Sequence, residues 1–356
     1  MDEVLKNSKE SLGIKEFLEI SEEYLSRNFK NINIEKIFDN TLSGKFDFDL
    51  LGSNIFDSFK SEILEVLKIL VIVLIVIIVH SIFKIIVQNL NNSSNVKIIS
   101  FIQYLIIVSI ILELFGVIII ELENVLDDLI TFMNMFVPFL SILIVSTGNI
   151  VTSSVIEGTL FFSIVFISNF IKNFLIPLYL IVVTISVVSN FTDKFKLDKL
   201  SKFFRSSIVW ILGIILTIFI SILTMETEIT SSVDSFTSKT IKAAVSNFIP
   251  VVGKIMGDSV DAVLGSFNIL KNSVGVIGII VVLSLTLFPI IKVFIMYVLF
   301  NLTSAFAEIV AEEKIVSLIS NLSDCLRTFL GMLISVSIMF VVEVVIIIKI
   351  TNGIVM

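Results

Sequence analysis

Glu113, Glu157, Lys172, Lys292 and Glu343 stand within or at the ends of long apolar runs. A charge at mid-bilayer costs about 2.5–3.5 kcal/mol even on the lenient insertion scale. Such residues therefore turn to a bundle interior, a water path or one another, where they serve ion routes, proton relays or helix contacts. Glu343 is the most deeply embedded, with apolar residues 338–342 before it and 344–348 after it. The sequence leaves it two places, a bundle interior or the membrane interface. Lys172 and Lys292 fall where two apolar runs meet and are expected at turns.

A second group of residues shapes helices. Pro138 and Pro177 are 39 residues apart, Pro250 and Pro289 are also 39 apart, and each of the first pair precedes its counterpart by 112. A proline inside a helix frees a carbonyl and bends the chain. The neighbourhoods repeat as well: FVP at 136–138 returns as FIP at 248–250, and ILGIILTIFIS at 211–221 resembles FLGMLISVSIM at 329–339. These matches imply an internal duplication of 130–224 in 242–342, with Pro177 and Pro289 each opening a helix. Within the second copy, NFIPVVGKIMGDS at 247–259 is polar where its counterpart is apolar. Its Gly253-x-x-x-Gly257 spacing and the SVGVIG run at 273–278 offer smooth surfaces to another helix, in the same chain or another subunit.

Catalytic signatures are missing. His80 is the one histidine and cannot supply a two-histidine metal site; beside Lys84 it suits an interfacial role. Gly44-Lys45 and Gly253-Lys254 lack the earlier glycine of a phosphate-binding loop, and no G-x-S-x-G elbow occurs. Cys325 is the one cysteine and reads as an inert small residue. No enzymatic activity, cofactor or metal is expected, and any energy must come from a gradient or a partner.

The elements that position these residues are apolar helices. Of 356 residues 56% are hydrophobic and 16% charged, with mean hydropathy +1.05, against about 25% charged in soluble domains. The expected fold class is all-α, a polytopic helical membrane protein of about 7–10 spans, since a helix needs about 20 apolar residues to cross. Nine candidate spans are 64–87, 98–120, 129–146, 156–171, 173–190, 206–223, 274–291, 292–306 and 328–348. Residues 1–62 hold 13 acidic and 8 basic side chains, −5 of the net −7, and Ile14, Phe17, Leu18, Leu25 and Phe29 recur on one helical face. The acidic balance argues against nucleic acid as a partner. The expected domains are an acidic extracytoplasmic region 1–62, a two-span unit 63–128, and membrane repeats 129–235 and 236–356.

Orientation follows from basic loops. Residues 191–205 hold Lys194, Lys196, Lys199, Lys202 and Arg205, the densest basic cluster, and are expected in the cytoplasm. Counting spans back places the N-terminal region and the acidic ELENVLDD at 121–128 outside. The N-terminus MDEVLKNSKE lacks the order of a secretory signal.

Three blocks, SVVSNFTDKFKLDKLSKFFR at 186–205, the segment 237–266 and LKNSVGVIGII at 270–280, resemble the stage III sporulation protein AE family of endospore-forming bacteria. The resemblance runs from about residue 60 to the end, and the departure from the family pattern is that the signal peptide usual there is not read in MDEVLKNSKE. It implies a multi-pass protein of the mother-cell membrane around the engulfed forespore. There it would belong to a secretion-like assembly, a feeding tube, that sustains late forespore gene expression, with other subunits supplying an ATPase and a ring between the membranes. The competing class is an autonomous secondary transporter, suggested by the repeat and the broken helices. A reporter enzyme active only in the cytoplasm is expected to work when fused after Lys199 and to fail after Asn31; the reverse pattern would overturn the orientation.

Overall fold

The computed structural model describes residues 13–29, 33–44, 60, 63–64, 66–68, 71–79, 81–82, 85–86, 93–191, 197–248, 252–311 and 313–350. Every regular element among them is helical. Two short helices, α1 (Ile14–Asn28) and α2 (Ile34–Leu42), precede α3 (Ser93–Ser146), α4 (Ile150–Phe170), a π-helical turn Ile171–Leu175, α5 (Ile176–Phe191), α6 (Asp198–Phe248), α7 (Val252–Val310) and α8 (Glu313–Ile350). Five stretches are long and apolar enough to cross a membrane: Tyr104–Ser146, Ile150–Ser189, Asp198–Glu226, Gly265–Ile309 and Glu313–Lys349. A shorter apolar helix runs over Val66–Val79. The chain is thus a polytopic helical membrane protein.

Three pairs of candidate spans are continuous, so the turns expected between them are absent. Residues 98–120 and 129–146 form one helix, as do 274–291 and 292–306, while 156–171 and 173–190 join through the π turn. The intervening ELENVLDD is rich in helix formers and carries no glycine or proline, so nothing stops α3 there. Pro289 likewise opens no helix but lies inside α7, and Pro138 lies inside α3. At 54 residues α3 is about 81 Å long, far beyond about 30 Å of hydrocarbon. Its outer face changes along its length. Ile98, Phe101, Ile102, Leu105, Ile106, Leu112, Val117 and Ile120 are exposed before the acidic stretch, Asn124, Asp127, Thr131 and Asn134 within and just after it, and apolar Ile142 and Val145 towards the end.

A glycine ends α3. Gly148 has φ 87°, the left-handed conformation that lets the Asn149 N–H reach the Ile144 carbonyl (3.3 Å) and the Gly148 N–H reach Val145 (2.8 Å), a Schellman closure. The chain reverses into α4, which runs antiparallel to α3. Tyr104 donates to the Val187 carbonyl (2.7 Å), Phe115 meets Tyr179, and Asp127 pairs with Lys172. α7 is antiparallel to α3 too, through Lys292 with Glu121 and a Phe136 ring against Gly278. Windows 156–190 and 268–302 therefore run the same way, but one contains a π turn and the other is regular helix, so local geometry does not carry the duplication.

α7 is the centre of the bundle, packed on α8, α3, α1, α2 and α6. Its apolar window is 61% buried against 22% for α6. The expected apolar face of α1 is the buried one: Ile14, Phe17, Leu18, Leu25 and Phe29 are all under 9% exposed. Phe17 stacks on Phe139 with centroids 4.8 Å apart, Tyr24 meets Phe132 edge-on, and Phe29 meets Phe288. The N-terminal helices are thus docked on α3 and α7. Asn33 caps α2, its side chain accepting from the Lys36 N–H at 2.8 Å.

Glycines set how closely α7 approaches its neighbours. A Cβ on Gly278 would lie 2.4 Å from the Phe136 ring, and one on Gly275 2.4 Å from Ile348 of α8, whereas Gly213 on α6 has nothing within 4 Å. The SVGVIG run therefore serves contacts within this chain. Gly278→Leu is expected to destabilise the detergent-solubilised protein by about 1–3 kcal/mol and Gly213→Leu to leave it unchanged, read as thermal midpoints; equal midpoints would remove the close-packing argument.

Candidate functional site

The acidic stretch in the middle of α3 gathers cations from three other elements. Asp128 accepts from Arg27 of α1 at 3.0 Å, Asp127 pairs with Lys172 of the π turn, and Glu121 pairs with Lys292 of α7 at 3.3 Å. Glu121 and Asp128 are two turns apart on one face of α3, and Asp127 is one residue round, so a single stretch of helix can address three neighbours. Lys172 and Lys292, expected at turns, are therefore mid-helix, and the reason is pairing: each cation is neutralised in place without the chain leaving the bundle. The Lys292 and Glu121 side chains are 20% and 28% exposed, the least accessible of the three pairs. Arg27 also meets Glu23 at 3.3 Å and lies over the Tyr24 ring. Burial, reinforced by the Asp128 carboxylate, pushes the Tyr24 phenol above its ordinary value.

The π turn places Lys172. The Ile176 N–H bonds to the Ile171 carbonyl, five residues back, and Pro177 follows with no N–H to continue an α register. One residue of widening relieves the clash a proline imposes on the preceding turn, a usual origin of π bulges. The helix carries on into α5 and its lysine faces α3.

A second polar cluster lies at the α3–α4 turn. Ser141 Oγ donates to Glu157 Oε2 (2.8 Å) and lies 2.6 Å from Ser153 Oγ, and Ser153 donates to the Ser141 carbonyl (3.1 Å). The first turn of α4 is capped in trans. Val151 and Thr152 donate backbone N–H bonds to the two carboxylate oxygens of Asp234 on α6, at 3.1 and 2.8 Å. A carboxylate there satisfies orphan donors and meets the positive end of the helix dipole, and it fastens α6 to α4.

The other sequence-derived residues are dispersed. Glu113 is exposed on the apolar face of α3, and Glu157 is half-buried on Ser141. Glu343 is fully buried, and neither carboxylate oxygen has a hydrogen-bond partner among the described residues. Pro138 is half-buried, Pro177 exposed and Pro289 buried. Gly253 and Gly257 lie in the opening turns of α7, and Pro250 and His80 fall outside the described residues. Cys325 is buried, with Sγ 3.4 Å from Ser186 Oγ. Sequence reasoning missed Arg27, Glu121, Asp127, Asp128 and Asp234 as pairing groups, and Lys271, which is fully buried and donates to Asn268 at 3.4 Å. The helical spacing of the acids in ELENVLDD was the available signal. No cluster of three metal-ligating side chains occurs among the described residues. The arrangement holds helices in register and neutralises charge.

Residues 32–351 match the family described as Stage III sporulation protein AE. The chain belongs to that family. A curated family member, Stage III sporulation protein AE of Bacillus subtilis (strain 168), is 26% identical over 276 residues, covering 76% of this chain and 69% of the relative. No solved structure matches. In this family member α3 to α8 all fall within the matched residues, so of the charged belt formed by these three pairs the acids, Lys172 and Lys292 lie in the matched part, and Arg27 of α1 lies before it.

The belt is tested by charge exchange. Glu121→Lys and Lys292→Glu should each lower the thermal midpoint of the purified protein, and the double variant should recover most of the loss, a coupling of about 0.5–3 kcal/mol. Strictly additive losses would show that the two side chains do not meet.

Proposed function

We propose that this chain is a non-enzymatic, multi-pass subunit of the channel that joins mother cell and forespore, a secretion-like assembly needed for late forespore gene expression. The observation that carries the reading is the family match over 32–351, which takes in all five long apolar helices. The protein resides in the mother-cell membrane surrounding the forespore, with its N-terminus outside the cytoplasm. Its partners are other stage III sporulation membrane subunits, an ATPase that supplies the energy and ring-forming subunits between the membranes; nucleic acid is not among them. It needs no cofactor.

The bundle supports a topology for that role. With the basic 191–205 segment inside, α5 rises from the cytoplasmic face to Lys172 in about 28 Å, and α7 from residue 309 to Lys292 in about 26 Å, each close to one hydrocarbon thickness. The charged belt then lies about one hydrocarbon thickness from that face. Beyond it, the docked α1 and α2 occupy the side where the mother cell faces the forespore.

One observation favours a second reading. Glu343, buried and without a hydrogen-bond partner among the described residues, is the kind of group a proton-coupled transporter uses. Affinity purification from sporulating cells, with identification of the accompanying subunits, separates the two, alongside a late forespore reporter in a strain lacking the chain. Co-purified stage III subunits and loss of the reporter are expected. Solute uptake by proteoliposomes containing this chain alone, with no associated subunits in cells, would replace the channel reading with the transporter.

A further inference from the structure

α4 and α6 enclose a groove of about 590 Å³, walled by Phe162 and Phe166 on one helix and by Ile215, Ile218 and Ile222 on the other, with Gly158 and Glu226 at one end. A second groove of about 520 Å³ runs along the outer side of α4 and the π turn, past Val165 to Asn169 and Asn173, and shares the same two phenylalanines. Phe162 and Phe166 therefore stand as a ridge between two grooves, their rings stacked with centroids 6.0 Å apart. Phe162 is 70% exposed, and Val165, Phe166, Ile218, Ile222 and Met225 are between 46% and 65% exposed. No residue is charged within 158–171 of this face on α4 and 213–225 on α6.

Contacts between the helices set the height of the groove. Ser141 with Glu157 and Asp127 with Lys172 make 159–166 of α4 level with 132–139 of α3, where Phe17 and Tyr24 of α1 rest on Phe139 and Phe132. At that height the outer face of α1 carries Lys15, Glu16, Glu19, Glu22 and Glu23, all exposed, and charges so placed require water. Counted 21 residues along antiparallel α4 and α6 from the Asp234–Val151 bond, Lys172 is level with Gly213. Trp210, 71% exposed, therefore lies at the charged belt, as tryptophan does at a boundary between membrane and water. The groove, from Ile215 to Glu226, is on the far side of that tryptophan from the basic 191–205 segment. An apolar face at the height of charges in water is one that another protein surface covers.

We infer that this α4–α6 face docks a second copy of the chain, each copy's Phe162–Phe166 ridge lying in the other's groove. The face supplies both halves of such a contact, a ridge and a groove side by side, which is what a two-fold interface needs, and ridges set into grooves are how helices pack. It offers no charge for a partner of opposite sign to meet. The amides of Asn169 and Asn173, exposed beside the ridge, donate and accept alike and so match their own counterparts. Taking about 150–250 Å² for a whole aromatic side chain, the outward parts of this face come to on the order of 800 Å², the share one partner gives to a standard interface. The docking goes beyond the channel reading and holds equally for a transporter.

The mass of protein in the purified particle, measured by light scattering on the full chain in mild detergent, tests this. The native chain should run as two copies. Gly158→Leu should weaken their association at least about tenfold, because a Cβ there meets nothing within 4 Å in its own chain while a leucine fills the groove that the partner's ridge enters. Phe162→Asp should do the same. In native membranes, differently tagged copies bearing Phe162→Cys and Ile218→Cys, expressed together, should join through a short bis-maleimide. Native Cys325 is buried and stays unreactive, and Phe294→Cys, exposed on α7, should give no joined pair. A native chain that runs as one copy and joins nothing in membranes would overturn the inference. Two copies that neither Gly158→Leu nor Phe162→Asp disturbs would overturn it too, leaving this face to lipid, as would cross-links from 162 and 218 only to a different protein. Because 162 and 218 are already exposed, the cysteine pair decides the matter even if Phe162→Asp fails to accumulate. Co-purification of stage III subunits from the same strains is read separately: paired copies without those subunits would remove the channel reading alone, and a single copy that retains them would remove the docking alone.

Discussion

α3 does not break at its charges, and most of the architecture follows from that. Glu121, Asp127 and Asp128 stand among apolar neighbours without ending the helix, and each is paired with a cation from another element. The three partners come from α1, the π turn and α7. Neutralising one stretch of one helix therefore fixes the height of three others. The pairs are partly exposed, and each is worth little by itself. Their weight lies in registration: apolar helices can slide along one another with small change in burial, and a charge pair cannot.

Apolar packing supplies the stability that registration directs. α7 runs through the centre, with Val274, Ile277, Val281 and Val282 buried, and its glycines let Phe136 and Ile348 come close. Within lipid, helix association draws on packing and hydrogen bonds and not on the expulsion of water. Close approach at Gly275 and Gly278 and the hydroxyl contact between Thr286 and Ser337 (2.8 Å) are contacts of that kind. α1 is held to the bundle by aromatic burial. Its opposite face carries exposed Lys15, Glu16, Glu19, Glu22 and Glu23, which suits a helix with one side in water.

Much of this was legible in the sequence where a rule acts locally. The buried face of α1 follows from three- and four-residue spacing, the break after Ser146 from a threonine-glycine-asparagine turn, and the membrane class from the apolar runs. The fusion of candidate spans was not legible. A run of acids between apolar segments reads as a loop when transfer costs are counted one residue at a time, and the cations that cancel those costs lie far away, Arg27 being 101 residues from Asp128. The cap on α4 was hidden for the same reason: Asp234 is 83 residues from Val151. Glu343 could be singled out by its apolar surroundings, but its place in the interior depended on which helices meet there.

The π turn at Ile171–Leu175 makes the outer half of this helix and its inner half rotational partners. Removing one residue there would return the segment to an ordinary helix, turn all of α5 by about 100° and draw it in by about 1.5 Å. Tyr179, Val182 and Val183, now buried, would swing toward lipid, and Leu180 and Ile181, now outside, would swing inward. A substitution in 171–175, even one that costs Lys172 its pair with Asp127, leaves the length of the helix unchanged, whereas a three-nucleotide deletion in the same codons rewrites the face of a helix. The length of this stretch is therefore held more tightly than its composition.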